Sequence, residues 1–159
     1  MNPAQEHFAS NIIRRKLIAA IDNIPKPEYS QHTFLLFLPE KEHHEIGLLL
    51  ANFLIRSAGI KTIYLGCNVP FENVKKTAEL VDIDFVLSFF ITPRQEGFHT
   101  RYLQQLSDTF NDQSILVAGR VLHDIHPNFP KNVRYLIDVP DLEHFLEENM
   151  NQPSSSREY

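Results

Sequence analysis

Apolar and polar positions alternate along this chain in two distinct periods, and the switching between them sets out the elements. Phe8, Ile12, Ile13, Leu17, Ala20 and Ile21 recur at helical spacing. They predict an opening helix that begins after a cap at Asn2 or Asn11, runs to about Asp22, and is broken by Pro25, Pro27 and Ser30. From there strands and helices take turns. Residues 32–38, with the run Phe34-Leu35-Leu36-Phe37-Leu38, read as a first strand. Residues 43–57 follow as a helix with Ile46, Leu49, Leu50, Phe53 and Leu54 as its inward stripe and Gly59 beyond its end. A second strand over 61–65 leads to a helix that starts at Pro70, runs to about Leu80 and turns Phe71, Val74 and Ala78 inward. The stretch 85–91 is almost wholly apolar, as a central parallel strand buried on both faces requires. A helix over 97–111, strands over 114–118 and 133–137, and a helix over 141–148 complete the series.

Five strands separated by helices predict an α/β fold, a five-stranded parallel sheet with right-handed crossovers and helices on both faces. Its simplest order is the flavodoxin-like, Rossmann-like one. One additional helix precedes it. The expected division is 1–30 for the opening helix and linker, 31–150 for the α/β domain, and 151–159 for a disordered tail without apolar period.

Length and composition narrow the function. A chain of 159 residues buries roughly 68–70% of its unfolded surface, enough for one core without staples. The lone Cys67 excludes an internal disulfide. No signal-like start and no apolar run near 18 residues point to a soluble, cytoplasmic protein with no membrane partner. A net charge of −5 argues against a nucleic-acid surface, because phosphate binding needs clustered cations. Arg14-Arg15-Lys16 is the only basic run, and it reads as the solvated face of a helix.

In an open α/β sheet, ligands bind at the carboxyl ends of the strands. Those ends carry the residues from Glu40 to His44, then Gly66-Cys67-Asn68, then Ser88 to Thr92, and finally Gly119-Arg120. None of these is a catalytic set, so the chain does not read as an enzyme. A phosphoryl-accepting receiver would need an Asp where Ser88 stands and a Lys where Asp138 stands. A dinucleotide fingerprint would need a Gly-rich turn, and Gly66 is alone. Ser88 with His44 is no hydrolase pair, since Leu87 and Phe89 flank the serine in place of a nucleophile elbow. His123 and His126 beside Asp124 offer a metal only two close ligands. What stands out is Glu42-His43-His44-Glu45-Ile46-Gly47 at the first strand's exit, where an acid two residues before His44 can hold one ring nitrogen and aim the other at a metal.

These residues carry a resemblance. The run from Glu42 to Gly47 resembles the Asp-x-His-x-x-Gly loop of cobalamin-binding modules. Ser88-Phe89-Phe90 falls where those modules have Ser-x-Leu, and Ala118-Gly119 where they have Gly-Gly. Forty residues lie between Gly47 and Ser88 and twenty-seven between Phe90 and Ala118, similar to the spacings of that family. The segment from Tyr64 to Pro70 is also similar to the family's second-strand exit. Upstream, Glu6-His7-Phe8 leading into Ile12-Ile13-Arg14-Arg15 resembles the last helix of the bundle that caps the corrin in MerR-type regulators, among them the light-sensing adenosylcobalamin repressors.

The resemblance implies a C-terminal cobalamin-binding portion of a transcriptional regulator, with an incomplete helical bundle before the α/β domain. His44 would be the lower ligand of cobalt in a base-off cofactor, adenosylcobalamin or methylcobalamin, with Glu42 accepting from its other nitrogen. Gly47 would allow close approach to the first helical turn. Ser88 would hydrogen-bond the displaced benzimidazole in a slot between sheet and helices. Gly119, beside Ala118, would let the nucleotide tail pass near the backbone, and Glu6 and His7 would face the upper side of the corrin. Three substitutions depart from the family pattern: Glu42 for Asp, Phe90 for Leu and Ala118 for the first Gly. The implied whole is a homo-oligomer whose assembly the cofactor controls and whose DNA contact lies in an N-terminal domain. Two alternatives are a corrinoid carrier of a methyltransferase or mutase system and a domain that kept the fold and lost the cofactor.

Overall fold

A computed structural model of the chain describes residues 2–27, 30–125 and 128–150. The expected tail, 151–159, and His126 lie outside these. Helix α1 spans Pro3–Asp22. Then come β1 (Thr33–Pro39), α2 (Ile46–Ser57), β2 (Lys61–Val69), α3 (Phe71–Leu80), β3 (Phe85–Phe89), α4 (Phe98–Thr109), β4 (Ser114–Ala118), a 3₁₀ turn (Arg120–Leu122), β5 (Val133–Leu136) and α5 (Val139–Met150). The five strands form one sheet in the order β2-β1-β3-β4-β5, parallel throughout, so the flavodoxin-like expectation holds.

Strand alternation sends successive side chains to opposite faces and so makes two cores. Phe34, Leu36, Leu38, Leu87 and Leu116 pack on one side, with Leu48 and Ile55 of α2 and Leu142 and Phe145 of α5. Leu35, Phe37, Val86, Phe90 and Val117 pack on the other, with Val74 of α3 and Leu103 and Leu106 of α4. The interior strand β1 is wholly buried from Phe34 to Leu38.

Several boundaries differ from the sequence expectation, and each has a local cause. The helix expected from residue 43 starts at Ile46, because the backbone N–H groups of His43 and His44 bond the Glu42 carboxylate and form a turn instead. The strand expected to reach residue 91 stops at Phe89, since the N–H groups of Ile91 and Thr92 are likewise taken by Glu42. Strand β2 extends beyond residue 65 to Val69 by a bulge at Gly66, whose φ of +81° suits glycine. The last helix gains a turn at its start, where Asp138 accepts the N–H of Asp141.

Helix α1 opens with a reciprocal cap, Asn2 accepting the N–H of Gln5 while the Gln5 side chain accepts that of Asn2. Its apolar stripe is only partly used. Ile21 is buried, whereas Phe8, Ile12 and Ile13 are exposed. No helix among the described residues is long and apolar enough to cross a membrane.

Candidate functional site

The site is built at the carboxyl tip of β1, where the chain turns at Lys41 with φ +64°. Two other strand exits pin this turn. Asn68, itself left-handed at φ +58°, accepts the N–H of Lys41 at 2.8 Å and donates its own N–H to the carbonyl of Glu42 at 3.1 Å. From the β3 side, Ile91 and Thr92 donate their N–H groups to Oε2 of Glu42 at 3.0 and 2.7 Å, and the Thr92 hydroxyl reaches Oε1 at 3.1 Å. Backbone held in left-handed conformation at a strand tip is tolerated where the surroundings over-determine it, a situation common at ligand sites.

Glu42 is 3% exposed and therefore needs these donors. Burial alone would raise its carboxyl, but hydrogen bonds from the Thr92 N–H, the His44 ring and the Ile91 N–H outweigh that and hold it at about 2. It is a fixed anion. Its Oε1 stands 2.5 Å from Nδ1 of His44, and since a carboxylate can only accept, Nδ1 is the donor in this bond. Nε2 of His44 has no hydrogen-bond partner among the described residues, and its side chain is 62% exposed. The extra methylene of Glu relative to Asp has therefore not lengthened the bond.

His44 faces a cleft of about 670 Å³ between α1 and the strand tips. Glu6, His7 and Arg14 line it from α1, and His43, Gly47 and Phe89 from below. The structure thus brings Glu6, His7, His44 and Gly47 to one cleft. Arg14 lies on an exposed helix face, as the sequence reading has it, and is also paired. Its Nε donates to Oε2 of Glu45 at 2.8 Å, while Oε1 of Glu45 accepts the Tyr64 hydroxyl at 2.9 Å. This relay ties α1 to α2 and β2. The hydrogen bond and charge of Glu45 raise the Arg14 guanidinium, and burial together with Glu45 raises the Tyr64 phenol. Neither Glu45 nor Tyr64 was singled out from the sequence, because an acid at a helix start and an aromatic in a strand carry no pattern of their own.

On the same face lies a second, apolar slot of about 170 Å³ between α2 and α5, lined among others by Leu50, Leu54, Ala118, Leu136 and Leu142. Gly47 and Phe89 border both spaces. A Cβ on Gly47 would come within 2.9 Å of the Phe89 ring, so this glycine admits Phe89. Gly119, at φ +130°, admits backbone, since a Cβ there would lie 1.9 Å from the carbonyl oxygen of Phe90. Ser88 is not part of the slot's lining. It is fully buried and its hydroxyl has no hydrogen-bond partner among the described residues. Alternation places it with Val86 and Phe90 toward α3 and α4, and Phe89 takes the slot side.

A cobalt corrinoid can be tested against these residues. A neutral imidazole with one nitrogen held by a carboxylate is a good ligand for such a metal. The cleft above it and the apolar slot beside it are both open, so the donor set fits. Among the described residues no three His, Cys, Asp or Glu side chains group to hold a metal ion, and His123 pairs with Asp124 at 3.5 Å.

No family model matches the chain. It is 35% identical over 107 residues to the HTH-type transcriptional repressor CarH of Myxococcus xanthus, covering 65% of this chain and 35% of that protein. It is 30% identical over 94 residues to the HTH-type transcriptional repressor CarA of the same organism, covering 59% of this chain and 32% of that protein. The chain thus spans about a third of the length of these curated relatives. Among solved structures, a cobalamin-binding protein from Desulfitobacterium hafniense DCB-2 matches with a TM-score of 0.55 and 14% identity, over 90% of this chain and 67% of that one. The two comparisons bear on different levels: over most of its length this chain is similar in sequence to the CarH repressor and to the CarA repressor, and its parallel α/β fold is similar to that of a cobalamin-binding protein.

Proposed function

We propose that the chain is the cobalamin-binding sensory domain of a transcriptional regulator. One observation carries this reading: Nδ1 of His44 is held by a buried carboxylate while Nε2 opens on a cleft roofed by α1. The curated relatives are repressors, not enzymes, and the strand tips hold no nucleophile paired with a base.

His44 would ligate cobalt from below in a base-off cofactor, adenosylcobalamin or methylcobalamin. Glu42 keeps the imidazole in the Nδ1–H tautomer and raises its basicity. Gly47, Ala118 and Gly119 are the small residues along the path of a nucleotide tail, with Ser88 buried beneath them. Glu6 and His7 line the cleft opposite His44 and would meet the upper ligand. When bound, the cofactor supplies a cobalt–carbon bond that light can break. The chain's part is to hold the two faces of the corrin between α1 and the strand tips. A change of upper ligand would then move α1, which is tied to the start of α2 by the Arg14–Glu45 ion pair and shows apolar Phe8, Ile12 and Ile13 to its surroundings. That movement would control self-association of the whole regulator and, through a separate helix-turn-helix region, its grip on DNA. These residues alone, at net charge −5, would not bind DNA selectively.

The test is the visible spectrum of the purified chain with adenosylcobalamin, in darkness and after illumination. A base-off, histidine-ligated spectrum that is lost in His44→Ala supports the reading. A wild type that leaves the cofactor's spectrum unchanged, with no retention on gel filtration, would sink it and favour a domain that kept the fold alone. Spectral binding together with methyl transfer to an added corrinoid-dependent enzyme would favour the carrier reading.

A further inference from the structure

At the amino edge of the sheet, away from the strand tips, lies a cavity of about 540 Å³. Lys26 and Ser30 line it from the linker between α1 and β1, Arg56 from the last turn of α2, and Lys61 and Thr62 from the start of β2. We propose that this cavity binds a small polyphosphate, a diphosphate either free or carried by a nucleotide. The seven residues of β1, roughly 20 Å at the rise of a strand, separate this edge from the tip that leads to His44, and the site is independent of the function proposed above.

Charge and geometry both point to an anion. Three cations line the cavity, and among the described residues no Asp or Glu does, a local reversal in a chain of net charge −5. Neither lysine is spent on a carboxylate: the ion pairs of lysine and arginine among the described residues belong to Arg14, Lys75 and Arg134. Arg56 is partly buried and held in place, its Nη2 donating to the carbonyl of Ile24 at 3.1 Å. The Ser30 hydroxyl donates to the carbonyl of His32 at 2.6 Å and accepts the N–H of Lys61 at 3.0 Å. Linker and strand are thereby fixed to each other, so the rim is set before any ligand arrives and little ordering is left to oppose binding. The carboxyl end of α2 would disfavour an anion, but its last carbonyls are taken, those of Leu54, Ile55 and Arg56 accepting N–H groups from Ala58, Ile60 and Gly59.

The amount of charge and the space select the class of anion. One phosphate group carries about −1.5 to −2 near neutral pH, so three cations exceed a single phosphate and suit a diphosphate. The volume falls within the roughly 300–1,000 Å³ of small-molecule sites, and Pro27 and Ile60 supply an apolar wall beside the polar groups. Because the cations surround a concavity and do not run along a ridge or a helix, they fit a compact anion better than a nucleic-acid backbone. Lys26 belongs to the linker and Lys61 to the sheet, so a bound diphosphate would fasten the exit of α1 to the α/β domain and raise stability by mass action.

The experiment is a calorimetric titration of the full 159-residue chain with sodium pyrophosphate, ADP and AMP, at low salt and without divalent metal, with thermal unfolding measured alongside. Pyrophosphate should bind once per chain and raise the unfolding midpoint. Lys26→Gln and Lys61→Gln remove side chains that are exposed and unpaired, so both variants should fold, and each should weaken binding by about fivefold or more. Lys76→Gln and Lys131→Gln, at exposed lysines outside the cavity, should leave it unchanged. ADP binding as tightly as pyrophosphate, with AMP far weaker, would support a diphosphate carried by a nucleotide; ADP far weaker than pyrophosphate would support the free anion. Equal losses in all four variants would reduce the binding to diffuse surface attraction and overturn the proposal. So would the absence of both heat and midpoint shift, or retention of duplex DNA that the Lys26 and Lys61 variants lose while pyrophosphate goes unbound.

Discussion

Thr92 grips both oxygens of Glu42, its N–H on Oε2 at 2.7 Å and its hydroxyl on Oε1 at 3.1 Å, across fifty positions of sequence. The first strand's exit is thereby fastened to the third's, and the orientation of His44 depends on a residue from neither its own loop nor its own strand. Thr92→Val keeps the shape and the N–H but removes the hydroxyl. It should cost about 1.5–3 kcal/mol of stability, the usual worth of one hydrogen bond to a charged group. Equilibrium unfolding in urea measures it, and a loss near zero would show that the hydroxyl is idle.

Replacement of the two neighbouring histidines separates ligand from bystander. His44→Ala should abolish histidine ligation of cobalt, while His43→Ala, whose ring has no bond to Glu42, should change little. Glu42→Ala should weaken corrinoid binding by roughly 10–100-fold, as loss of a carboxylate behind a ligating imidazole does. The reverse result for the two histidines, read from absorption spectra, would show the ligand to be His43.

Acid should unfold this protein partly through Glu42. Its carboxyl is held at about 2 in the fold against an ordinary 4.5, so the unfolded chain binds the extra proton between those values. The contribution is complete above about pH 4.5 and is lost as pH falls toward 2, amounting to about 3 kcal/mol when fully lost. His99, pulled down by burial, acts in the same direction at higher pH. Urea unfolding from pH 6 to pH 3 should therefore show a shallower decline for Glu42→Gln than for the wild type. Parallel declines would contradict the assignment.

Two glycines with positive φ should respond differently to alanine. At Gly119 a methyl would meet the Phe90 carbonyl oxygen at 1.9 Å, and the strand tip must shift to admit it. Gly59, at φ +77°, has open space around it. Gly59→Ala should cost about 1 kcal/mol from backbone strain alone, and Gly119→Ala at least about 3 kcal/mol. Thermal unfolding of the two variants ranks them, and the opposite order would refute the packing described at the β4 tip.

The ion pair of Arg14 with Glu45 is half-exposed on the arginine side, so its coupling should be small. A double-mutant cycle should return about 0.5 kcal/mol. Its effect on α1 is the more telling readout. In Arg14→Ala, amide exchange in the first half of α1 should quicken, because Phe8, Ile12 and Ile13, at 70%, 40% and 46% exposure, are only partly packed there. Unchanged exchange there would mean that α1 is held by other contacts.

Hydrophobic periodicity by itself determined the order and type of every element here, because apolar runs such as Phe34 to Leu38 can satisfy both faces of a parallel strand only in a covered sheet. The spacing of Glu42 and His44 likewise determined their pairing, since two residues apart in one tight turn is a local matter. Tertiary structure decided the rest. Where β3 ends and α2 begins depends on one carboxylate collecting N–H groups from both segments, which no local pattern records. The face that Ser88 and Phe89 each take follows from the register of β3 between β1 and β4. That glycines 47 and 119 make room for Phe89 and Phe90 is a fact of packing between residues some thirty to forty positions apart. Arg14 found Glu45 because the folded sheet brings the start of α2 beneath α1, a proximity that exists only once the chain has closed on itself.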